Sequence, residues 1–421
     1  MNPATQPDAC APVQRKDSHR WKILGIGVLA NASFSAAFAG IPVTAIFMRA
    51  DYRLDNTQLG LALGSLGLGV AVSELPWGVL TDRWGDRRVL LCGLISTALA
   101  LAVMAACVAP GGAGIPPLWL LALGLLTVGL LGGSVNGSSG RAVMGWFREG
   151  ERGLAMSIRQ TAVPVGGGVG ALVLPSLAAA HGFAPVYGLL ALFCLLSAAM
   201  AWLWLHEPPA APSSSTAASP DRSALRNIEV WRVAMAIGIL CFPQVSVLTF
   251  ATIFLHDVGH AGLGLISATM AAIQIGAAVM RVWSGRWTDR HGNRRQYLRA
   301  CSALSVALYI ALGTAAALAP AVWPQWVLAA IALLLVAGGV CASAWHGVAY
   351  TELATLAGQH QVGTALGLGN TCVFLVFFLA AQAVPALLAW QSWSAVWLAG
   401  AAGALIAWPI FLKPLHRNRP G

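Results

Sequence analysis

The stretch GVLTDRWGDRR at Gly78–Arg88 returns as GRWTDRHGNRR at Gly285–Arg295. Gly78 aligns with Gly285, Thr81 with Thr288, Asp82 with Asp289, Arg83 with Arg290 and Gly85 with Gly292, and Arg87-Arg88 falls on Arg294-Arg295. Each copy sits on the polar side of an apolar segment. One chain has been built from two similar halves.

Composition sets the solvent of those halves. With 57% hydrophobic and 10% charged residues and a mean hydropathy of +0.71, the chain does not read as a soluble domain. Its apolar runs divide into twelve, at 22–48, 58–80, 88–109, 117–141, 153–178, 184–206, 229–255, 262–286, 296–318, 325–350, 362–388 and 392–413. Each is near or above the ~20 residues that cross ~30 Å of hydrocarbon as a helix. Runs this long and uniformly apolar are helices rather than barrel strands, because a backbone in lipid must satisfy its hydrogen bonds internally. An all-α integral membrane fold of twelve spans follows.

Basic residues orient it. With an inner amino terminus, all of the 25 Lys and Arg except Arg49 and Arg53 fall on or near the inner side, which places both termini in the cytoplasm of a cell whose inner membrane holds the protein. Topology and anionic headgroups then account for the net charge of +10 without a nucleic-acid partner. Residues 1–21 form a polar tail, and the first apolar run reads as a true span rather than a cleaved signal. The 8 cysteines are scattered, with no CxxC and no Cys/His grouping, so neither a metal site nor a cofactor is expected. Glu207–Asp221 reads EPPAAPSSSTAASPD, a polar linker. The expected organisation is a tail (1–21), a six-helix bundle (22–206), the linker (207–221), a second bundle (222–413) and a second tail (414–421).

The pattern Gly-x-x-x-Asp-Arg-x-Gly-x-Arg-Arg resembles the cytoplasmic signature loop of the major facilitator superfamily, which joins the second and third helices and recurs between the eighth and ninth. The resemblance implies two pseudo-symmetric six-helix bundles and alternating access about a site at their interface. It also implies that Gly78, Asp82, Arg83, Gly85, Arg87 and Arg88, with Gly285, Asp289, Arg290, Gly292, Arg294 and Arg295, latch the halves together when the inner side is closed. The residues themselves suit such a loop. Gly85 and Gly292 permit a tight turn between adjacent helices, and a carboxylate at Asp82 is favoured beside the amino terminus of another helix.

A weaker resemblance runs along GSSGRAVMGWFREGERGLAMSIR at Gly137–Arg159. The family has an arginine in this part of its fourth helix, often linked to proton coupling, and Arg141 stands for it here against a purely structural role. In SIRQTAVPVGGG, Pro164, Gly167 and Gly168 match an antiporter motif of the fifth helix, but Val163 stands where its glycine should be.

Charge inside hydrocarbon is expensive and normally faces a cavity or a partner. Glu74 and Arg281 lie at equivalent depth in the two halves, each about 12 Å of helix before its loop aspartate. An arginine at this place in the eighth helix resembles the substrate-carboxylate ligand of monocarboxylate and oxalate-type carriers, and its planar fork suits a carboxylate. Arg281 is therefore a substrate anchor or, alternatively, the partner of Glu74 in an ion pair. Arg159 is a second anion ligand or a rim charge. Glu74, an acid well inside a span, and His346, whose imidazole titrates near neutrality, are proton-coupling candidates. Asn31, Asn136, Gln244, Gln274, Asn370 and Gln382 are polar residues that line the cavity or bridge helices, with Asn31, Gln244 and Asn370 candidates for substrate contact.

The resulting expectation is a secondary transporter, acting as a monomer in the lipid bilayer, that takes up a small organic anion with protons. Its rival is a proton-driven exporter of drugs or metabolites, for which Glu74 would be essential and Arg281 dispensable. An enzyme is not expected, since no catalytic set of side chains occurs together.

Overall fold

A computed structural model describes residues 17–111, 114–206, 223–318, 323–390 and 392–412. The linker 207–221 and the tail 414–421 lie outside them, as does most of the first tail. Among the described residues, twelve helices are long and apolar enough to cross a membrane. In chain order the spans are His19–Val43, Thr57–Trp84, Asp86–Val108, Leu118–Trp146, Arg152–His181 and Phe183–Trp204 in the first half. Ile228–Asp257, Gly264–His291, Arg294–Leu318, Gln325–Ala357, Val362–Ala389 and Trp393–Ile410 form the second.

The polar signals act where helices begin and end. Asp55 opens the second span with a capping box, accepting from the Gln58 N–H at 2.8 Å while its own N–H reaches Gln58 Oε1 at 3.0 Å. Gly85 at φ 87° and Gly292 at φ 62° supply the left-handed backbone needed to leave one span and enter the next. The first span ends at Val43, before a short helix Ala45–Asp51. The tenth, expected to stop near 350, continues to Ala357, because the more polar segment after His346 stays helical beyond the apolar run.

Three further spans are interrupted where a continuous helix was expected. The fourth breaks at Gly133, the fifth at Thr161 and the tenth at Trp345. Adjacent glycines at 132 and 133 and Pro164 supply physical causes for the first two.

A continuous core of buried side chains runs from Ile23 to Leu205 in the first half, and another from Val247 to Ala401 lies within the second. The halves meet along two equivalent seams, the second span on the eleventh and the fifth on the eighth. Small residues let these backbones approach. A Cβ on Gly363 would lie 2.6 Å from the Gly78 carbonyl oxygen, and one on Gly153 would lie 2.6 Å from Asp289 Oδ1.

Candidate functional site

The two loop aspartates do in each seam what the helix-terminus argument asks of Asp82. Asp82 accepts the Gly363 N–H at 2.8 Å and the Thr364 N–H and hydroxyl at 2.6 Å each, all in the first turn of the eleventh span. Asp289 accepts the N–H groups of Gly153 at 3.0 Å and Leu154 at 2.8 Å in the first turn of the fifth. Each carboxylate satisfies backbone donors that lack a helical partner and sits at the positive end of a helix dipole in the other half.

The surrounding arginines differ in what they hold. Arg141 reaches from the fourth span to Asp82 at 3.3 Å, to Asp86 and to the Thr81 carbonyl at 3.3 Å. It stands in the loop network, beside the Asp82 latch. Arg294 bridges Asp289 at 3.5 Å and Glu149 at 2.8 Å, and so crosses between halves. Arg295 holds Glu352 at 2.7 Å and Glu229 at 3.0 Å within its own half. Arg87 donates to the Trp202 carbonyl, whereas Arg83, Arg88 and Arg290 are exposed.

Deeper in the bundle, buried polar groups from both halves meet. Glu74 Oε1 accepts from Asn136 Nδ2 at 2.5 Å, and Oε2 accepts from Asn370 Nδ2 at 3.2 Å. The Tyr350 hydroxyl donates to Asn370 Oδ1 at 2.5 Å. Arg159 donates through Nε and Nη2 to Ser139 Oγ at 3.0 and 2.8 Å, and through Nη2 to the Asn136 carbonyl at 2.7 Å. It lies within electrostatic range of Glu74 and Tyr350. Arg159 is 2% exposed, which places it in this layer rather than at a rim.

Arg281, also buried, donates to two backbone carbonyls, Ser343 through Nε and Gln160 through Nη1, each at 2.8 Å. The Gln160 bond crosses the interface. No carboxylate among the described residues pairs with Arg281, so the alternative ion pair with Glu74 is not formed. His346 Nδ1 faces the Ser343 carbonyl at 3.2 Å, and its ring stacks on Trp345. Gln244 Nε2 donates to Ser343 Oγ at 3.3 Å. Asn31 is fully buried, yet neither amide atom has a partner among the described residues. Gln274 is half-buried, and Gln382 is exposed rather than enclosed.

Tyr350, Ser139, Ser343 and the Gln160 carbonyl were not singled out from the sequence as site groups. Tyr350 follows His346 by one helical turn, the spacing that places both on one face, and that is the signal that would have found it.

Among the described residues, the guanidinium groups of Arg159 and Arg281 bind neutral acceptors directly, and Glu74 lies within electrostatic range of Arg159. A family model described as Major Facilitator Superfamily matches residues 26–381. The chain belongs to the major facilitator superfamily. As a member it is a multi-pass secondary transporter rather than an enzyme. It is 31% identical over 389 residues to the uncharacterized MFS-type transporter Rv2994 of Mycobacterium tuberculosis, covering 88% of this chain and 80% of the relative. A shorter match, 28% identical over 151 residues, covers 36% of this chain and 33% of the probable galactarate/D-glucarate transporter GudP of Bacillus subtilis. Among solved structures, the proton:xylose symporter XylE superposes with a TM-score of 0.76 at 16% identity, over 94% of this chain and 95% of XylE. At that identity the likeness concerns the fold.

Proposed function

We propose that this superfamily member takes up a small organic anion carrying a carboxylate, together with protons, by alternating access about the buried polar layer. The observation that carries the reading is that Arg159 and Arg281 are both buried and, among the described residues, hydrogen-bonded to neutral oxygens and a thioether. Arg281 has no carboxylate partner among the described residues, and an incoming carboxylate offsets the cost of that buried charge while accepting two parallel N–H bonds from the guanidinium. The local match to the probable galactarate/D-glucarate transporter GudP agrees in charge type.

In this reading the loop network faces the cytoplasm, as do both termini, and the protein works as a monomer in the inner membrane. Asp82 and Asp289 hold the inner end shut while substrate reaches Arg281 and Arg159 from outside, with Asn31, Gln244 and Asn370 about it. Glu74 takes up the coupled proton, with His346 beside Arg281 as the second titratable group. Opening of the inner end then breaks both aspartate latches. Counterflow in proteoliposomes loaded with mono- and dicarboxylates, including sugar acids, tests the anion. Exchange of at least one acid, lost in Arg281→Ala, is expected, whereas efflux of cationic drugs with no acid exchanged would replace this reading by the exporter.

A further inference from the structure

Pro164 changes what the backbone of the fifth span offers its neighbour. In an uninterrupted helix the Gln160 carbonyl would accept the N–H four residues on, but that residue is Pro164, which has none. The helix is interrupted at Thr161, between the segments Arg152–Gln160 and Ala162–His181. The carbonyl so released receives Arg281 Nη1 from the other half at 2.8 Å.

The second acceptor of Arg281 lies at a break as well. Ser343 immediately precedes the end of the first segment of the tenth span, Gln325–Ala344, and its carbonyl takes Arg281 Nε at 2.8 Å. One guanidinium therefore ties a backbone oxygen of its own half to one of the opposite half, in a layer deeper than the aspartate latches.

We propose that Pro164 and Gln160 are positioning residues for the transport cycle: they give Arg281 a neutral, exchangeable partner across the interface, which a substrate carboxylate displaces. The argument rests on the anion reading above. A carboxylate carries a full charge and two oxygens in the geometry of the guanidinium, whereas a carbonyl carries neither, so the anion wins the competition for Nη1. Its arrival removes one link between the halves and favours release of the inner end, which couples occupancy to conformation through a change of hydrogen-bond partner.

The test uses the full chain in nanodiscs, with distance labels at exposed Arg148 and His360 on opposite halves, in a background whose native cysteines are replaced. Pro164→Ala returns an N–H to the fifth helix and competes for the Gln160 carbonyl. Without ligand, the ratio of separated to joined inner ends should rise about tenfold in Pro164→Ala and in Arg281→Gln, the scale of one lost hydrogen bond to a charged group. The double variant should add little to either alone, because both remove the same link. Sodium formate, compared with sodium chloride at equal ionic strength, should separate the ends in the wild type and leave Arg281→Gln unmoved. Additive effects of the two substitutions, or no change in Pro164→Ala, would overturn the tie. An intact tie with no response to formate would overturn the exchange. Since the first comparison contains no anion of interest, its failure is distinct from failure of the anion reading.

Discussion

Asn370 donates its amide hydrogen to Glu74 Oε2 at 3.2 Å, so a carboxylate of the second span is held by the eleventh span of the opposite half. Asn136 holds its other oxygen from within the same half at 2.5 Å. Protonation of one oxygen weakens one of the two bonds, which ties the charge of Glu74 to the fit between halves.

Glu74→Gln keeps the size of the side chain and removes its titration. We expect the variant to fold and to retain counterflow, while proton-driven accumulation falls roughly tenfold or more, the range for losing a hydrogen bond to a charged group. The pH dependence of accumulation flattens in parallel. Uptake measured with an imposed pH gradient checks this; undiminished accumulation would move the coupling role to His346.

The latches are separable. Asp82 and Asp289 share no hydrogen-bond partner, so Asp82→Asn and Asp289→Asn should each weaken the joined inner end, by about 0.3–2 kcal/mol for a charge at a helix amino terminus. Their effects should add when combined. The accessibility of thiols introduced at the inner end of the seams reports the shift, and strong non-additivity would mean that the two seams do not close independently.

Close approach at the seam makes a steric prediction. Gly363→Val places carbon 2.6 Å from the Gly78 carbonyl oxygen and 2.8 Å from Asp82 Oδ1, at a cost of about 1–3 kcal/mol for overpacking. Transport should fall roughly tenfold while membrane insertion is normal. Gly25→Ala, with nothing within 4 Å of the added carbon, serves as the silent comparison.

Asn31 has a different signature. Its buried amide, without a partner among the described residues, costs about 1–3 kcal/mol for each unsatisfied group, a cost that substrate contact would offset. Asn31→Leu should therefore leave the melting temperature equal or raised while KM for the transported acid increases. A lowered melting temperature with unchanged KM would assign Asn31 to helix packing.

The repeated loop made the fold readable because its requirements are local. A turn at Gly85 and Gly292 needs left-handed backbone, and an acid beside a helix amino terminus needs only the sequence around it and a neighbour in the next bundle. The buried layer was readable only through its charges. Arg281 and Glu74 were legible as costly groups at equal depth, but not their partners, since Asn370, Tyr350 and the Gln160 carbonyl become neighbours only when the two halves dock. Arg141 illustrates the limit. Its position along the fourth span left coupling and structure both open, and the reach of its long side chain toward Asp82 and Asp86 is a fact of packing between the second, third and fourth spans.

The central claim is that Arg281 binds the transported anion. The most direct measurement is the internal pH of proteoliposomes holding a trapped dye while individual carboxylic acids are added outside, for wild type and Arg281→Ala. The account predicts acidification with particular acids, beyond their passive leak, that is lost in the variant. Equal acidification by wild type and Arg281→Ala would contradict it.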